Sequence, residues 1–75
     1  ILRWLREGNL IIAHMNTGMF TENSGHYILL VGATEDGKVL VNDPNSRLMS
    51  TLAFPVETLI SEGKTKEPFC FLQLR

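Results

Sequence analysis

A chain of 75 residues holds at most one small domain, and its apolar fraction of 44% excludes a disordered segment. The formal net charge is −1 with acids and bases interspersed, which speaks against a nucleic-acid footprint. No run approaches the roughly 18 apolar residues of a membrane span, no basic-then-apolar start marks a signal peptide, and one cysteine excludes an internal disulfide. Neither CxxC nor HxxxH spacing occurs, so no zinc site and no cofactor is expected. The chain opens on Ile1, which reads as a trimmed product or a piece of something longer.

The elements follow in order. In "ILRWLREG" the apolar Ile1, Leu2, Trp4 and Leu5 are spaced as at the end of an amphipathic helix, with Gly8 to stop it and Trp4 in the core. "NLIIAHM" (9–15) predicts a buried strand. "NTGMFTENSG" (16–25) is a loop by composition, and Met19 and Phe20 suit a segment folding back over a site. "HYILLVGAT" and "KVLVND" flank Asp36-Gly37, the strongest short-range hairpin signal, and Pro44 ends the second strand because it lacks an amide donor. "PNSRLMST" is turn-like. "FPVETLISEG" predicts a short helix with Pro55 in its first turn and Gly63 near its stop, and "PFCFLQLR" a last strand. The fold class is α+β: a mostly antiparallel sheet with helices packed on it.

The hairpin carries His26 at its opening and Asp43 at its close. A histidine acts as general base and acid when a carboxylate fixes its tautomer and stabilises the imidazolium. Register decides whether the two meet. A two-residue turn pairs Leu30 with Asp43 and leaves His26 about 13 Å further along the same face, at ~3.3 Å per residue. A four-residue turn pairs Ile28 with Asp43 and makes His26 the diagonal neighbour, within reach. A three-residue turn sends them to opposite faces. Gly32, in mid-strand, hints at a bulge that would correct the register. The bland alternative is an exposed histidine at a strand start and an aspartate opening an Asp-Pro turn.

"GHYILLVG" followed by "KVLVNDPNS" resembles the second half of papain-like cysteine peptidases, closest to the bacterial branch of bacteriocin-leader-processing peptidases and their stand-alone relatives. The upstream "LREGNLIIAHMNTGMFTENSGH" is similar to the same group, so the resemblance spans about residues 2–74. It implies that residues 1–75 are the C-terminal half of such a domain, with His26 the catalytic base and Asp43 the group orienting it. The family's nucleophilic cysteine precedes the histidine, with an upstream glutamine that helps hold the oxyanion, and neither occurs here before His26. Cys70, the sole cysteine, follows Asp43 between Phe69 and Phe71 and reads as buried packing. The resemblance thus implies a peptide- or amide-cleaving parent enzyme acting through an acyl-thioenzyme, with this chain alone inactive. Its partners would be a peptide or protein substrate and the missing N-terminal half, and the parent would be secreted or cell-surface. The alternatives are an acyl- or peptidyl-transferase, or a non-catalytic binding or regulatory module on the same scaffold. Cell-wall endopeptidases of the NlpC type have a shorter spacing after the histidine.

Other residues carry a functional and a bland reading. His14 is a second acid or ligand, or a strand histidine near a rim. Asn42 and Asn45 bind a backbone or substrate, or serve the turn. Asp43, Asn45 and Ser46 faintly suggest a calcium loop but lack its spacing and terminal glutamate.

Overall fold

Along Leu10–Met15 every second side chain is buried: Ile11, Ala13 and Met15 are fully enclosed, while Leu10, Ile12 and His14 are half-buried on the other face. This is strand β1, and its period of two sets the core side of the sheet. The computed structural model describes residues 1–16, 18, 20, 25–63 and 66–74. Strands β2 (His26–Ala33), β3 (Lys38–Asn42), β4 (Ala53–Pro55) and β5 (Phe69–Leu72) complete one antiparallel sheet in the order β4-β3-β2-β1-β5. The expected antiparallel α+β architecture is therefore present.

The core side carries Ile11, Ala13, Met15, Ile28, Leu30, Val39 and Val41, packed with Leu5, Phe20, Phe54 and Leu59. Leu5 comes from helix α1 (Leu2–Arg6) and Leu59 from helix α2 (Val56–Glu62). Phe20 meets Phe54 edge-on at 4.8 Å, so Phe20 packs back onto the sheet; Met19 lies outside the described residues. Short ties hold the layers. Arg6 Nη2 donates to the Thr34 carbonyl at 2.9 Å, and the Asn16 N–H donates to the Glu62 carbonyl at 2.7 Å. Trp4, expected in the core, is half-buried; its Nε1 donates to the Leu10 carbonyl at 2.9 Å and its ring meets Phe71 edge-on at 5.7 Å. An indole needs a partner for its N–H, and a sheet-margin carbonyl supplies one.

The opposite face is also apolar. Leu10, Ile12, Leu29 and Leu72 are half-buried there, and Leu40 is exposed. A sheet solvated on one side alternates apolar with polar, so "ILLV" in mid-hairpin reads as a strand apolar on both faces.

Two elements differ from expectation. Pro55 does not open the helix: its ψ of 140° is extended, and it ends β4 while α2 starts at Val56. Strand β4 is the second difference: three residues at the free edge of β3 pair as Lys38↔Pro55, Val39↔Phe54 and Leu40↔Ala53. The turn-like 44–51 stretch holds a 3-10 turn, Met49–Thr51. Among the described residues, no helix is long and apolar enough to cross a membrane.

The hairpin resolves the register question in two steps. At the turn the Thr34 N–H donates to the Lys38 carbonyl at 2.8 Å, with Gly37 at φ +85°. The Thr34 hydroxyl bonds the Asp36 carboxylate and holds that carboxyl below its usual range. Next to the turn, Ala33 pairs with Val39 and Gly32 with Leu40, the three-residue register that would separate His26 from Asp43. A bulge then intervenes: Val31 and Gly32 together oppose Leu40, and beyond them Leu30 pairs with Val41 and Leu29 with Asn42. Continued outward, that register sets Ile28 opposite Asp43 and returns His26 to the same face.

Candidate active site

Gly25 turns the chain into β2 with φ +94°, a left-handed conformation costly for any residue bearing a Cβ, and its N–H donates to the Met15 carbonyl at 3.2 Å. His26 follows, paired with Met15 of β1 and on the face shared by Ile28 and Leu30. Its side chain is 10% exposed, at the margin of the core. Asp43 lies just past β3 with its side chain fully buried, and His26 Nε2 meets its Oδ1 at 2.8 Å. An ionised carboxylate only accepts, so the imidazole donates from Nε2 in this contact and Nδ1 carries the lone pair of the neutral ring.

The Asp43 carboxylate is anchored by the turn that Pro44 begins. The Asn45 backbone N–H donates to the same Oδ1 at 2.9 Å, an Asx-type turn. The Asp43 N–H donates to Ser50 Oγ at 2.9 Å, and Ser50 Oγ donates to the Ser46 carbonyl at 3.0 Å. The bland and the functional readings of Asp43 thus describe one oxygen: Oδ1 closes the turn and receives the histidine. Oδ2 is buried and takes no hydrogen bond from the described residues. With two N–H donors on Oδ1, this arrangement is a hydrogen-bonded turn.

The Asn45 side chain completes the contacts at the ring, its Nδ2 standing 3.2 Å from His26 Nδ1. Turn chemistry explains the Asn45 backbone but not this contact, which needed the register to be known. Asn42 is exposed and faces the other side of the sheet, where it joins Ile12, Tyr27, Leu29 and Pro44 around an open apolar groove of about 320 Å³. His14 belongs to that side as well: it pairs with Tyr27 across the strands and stacks on its ring at 4.2 Å and 11°. The two histidines therefore do not work on one site.

Cys70 corrects an expectation. It is exposed, not buried among aromatics. It pairs with Ile12, whose partner across β1 and β2 is Leu29, so its side chain lies on the face opposite His26 and Asp43. Phe69 pairs with Ala13 and Phe71 with Ile11 on the core side, and the period of two sends the residue between them outward.

No curated protein and no solved structure matches the chain. A family model, described as the Peptidase_C39 like family, matches residues 1–63, which include both hairpin strands, His26 and Asp43. A match over most of the length shows the relationship to papain-like cysteine peptidases, and the chain belongs to the Peptidase_C39 like family.

Proposed function

We propose that His26 and Asp43 are the base and its orienting carboxylate in a peptidase of the bacteriocin-leader-processing branch. The residues described here would form the C-terminal half of its catalytic domain, with the thiol brought by another segment. The observation that carries this reading is the 2.8 Å contact between His26 Nε2 and a fully buried carboxylate, which leaves Nδ1 as the basic atom. In the reaction, Nδ1 takes the proton from the thiol as sulfur bonds to the scissile carbonyl carbon. The C–N bond then breaks as Nδ1 returns that proton to the leaving amine, and water cleaves the thioester with the same base assisting. Asp43 stays ionised and holds the imidazolium formed between the two transfers.

Cys70 has no part in this, because it points away from the base. The test is covalent labelling of the full gene product with a peptide carrying a thiol-reactive electrophile. Cys70→Ser is expected to retain labelling, and to move the urea unfolding free energy by less than about 0.5 kcal/mol. Loss of labelling in Cys70→Ser would overturn the assignment. A second reading, a binding module on the same scaffold, is favoured by the placement of the sole cysteine away from the dyad; absence of any labelled cysteine would select it.

A further inference from the structure

Asp43 engages only one nitrogen of the His26 ring. The other is the atom a thiol must reach, and it is already taken: the Asn45 carboxamide stands at Nδ1 at 3.2 Å. The two contacts require each other. With Nε2 donating to an obligate acceptor, the neutral ring offers a bare lone pair at Nδ1, so the carboxamide presents its NH₂ there. We propose that Asn45 is a latch on the His26 base: it reinforces the Nε2–H tautomer from the far side of the ring and occupies the lone pair until the carboxamide turns aside. This rests on the reading of His26 as base and adds how that base is kept closed.

Three features suit the role. Asn45 is exposed, whereas the groups holding Asp43 are enclosed or tied to backbone. Its backbone N–H is fixed to Asp43 Oδ1, so a side-chain rotation releases Nδ1 without disturbing the turn. A carboxamide also has both donor and acceptor ends, so a flip lets it accept from Nδ1–H after the ring takes up a proton. An aspartate could serve only the protonated ring, and an aliphatic residue neither form.

The test is acylation of the 75-residue chain by diethylpyrocarbonate, which attacks an unprotonated ring nitrogen, with modification of His26 and His14 followed separately by mass spectrometry. His14, stacked on Tyr27 on the other face, is the internal reference. Asn45→Ala keeps the backbone anchor and is expected to raise the His26 rate roughly two- to tenfold, the weight of one neutral hydrogen bond, with His14 unchanged. In ¹⁵N spectra of the ring, Nδ1 should move toward the position of an unbonded nitrogen while Nε2 keeps its proton. An unchanged His26 rate with an unmoved Nδ1 resonance overturns the latch, as does an equal rise at both histidines. Asp43→Ala combined with Asn45→Ala is the separate arm: if the Nε2–H tautomer of His26 survives the loss of both partners, the dyad itself is wrong, whereas its survival in Asp43→Ala alone is what the Asn45 donor would produce.

Discussion

Asp43→Ala should separate folding from chemistry more sharply than any other single change. Its Oδ1 receives the His26 N–H and the Asn45 N–H, and hydrogen bonds to a charged group are worth about 1.5–3 kcal/mol each. Against this, the folded chain buries a carboxylate whose Oδ2 has no donor among the described residues, and the alanine variant is relieved of that desolvation. The two effects oppose, so the expected net loss is only about 1–2 kcal/mol in urea unfolding. The ring, however, loses the acceptor that orients it, and acylation of the thiol in the full gene product should slow about 10²–10⁴-fold. With Asn45→Ala added, so that the donor at Nδ1 is gone as well, the two ¹⁵N resonances should approach an average. A double variant that keeps distinct Nδ1 and Nε2–H resonances, or an Asp43→Ala variant that loses less than about tenfold in rate, would remove Asp43 from the proposed mechanism.

Leu30→Ala is expected to be the most damaging substitution for the fold. Leu30 is fully buried in the central strand, flanked across the ladder by Ile11 on one side and Val41 on the other, both buried themselves. Removing a side chain there costs about 2–5 kcal/mol, because the neighbours belong to a hydrogen-bonded sheet and collapse only partly into the space. A domain of this size has about 4–11 kcal/mol in total, so the variant should retain as little as half its stability or less. Leu29→Ala, one residue away on the half-buried face, is the control and should cost clearly less at the urea midpoint. Equal losses at the two positions would mean that the core does not lie on the side described above.

The helix stops, the two long strands and the dyad candidates were legible because each is written in local chemistry: Gly8 after an amphipathic turn, Asp36-Gly37 between β-rich runs, Pro44 after Asp43. What was not legible depends on partners distant in the chain. Strand β4 is three residues ending in a proline, too short to show a period, and exists because the edge of β3 offers it a ladder. Cys70 looked buried from its aromatic neighbours, yet alternation on β5 gives the core side to Phe69 and Phe71 and turns the thiol out. Asn45 was readable as a turn residue, and its backbone is one; its side-chain contact follows only from where the bulge delivers His26. Gly32 was the one local sign of that bulge.

The doubled position opposite Leu40 gives β2 a single unit of slack. Striking out Val31 would straighten the strand yet leave each inward residue inward, since Leu30 already pairs with Val41 and Gly32 with Leu40. Striking out any residue between His26 and Leu30 would carry the imidazole through to the wrong side. Length variation among related chains is thus expected at Val31 and in the 34–37 connection, and barred in the stretch that aims the ring.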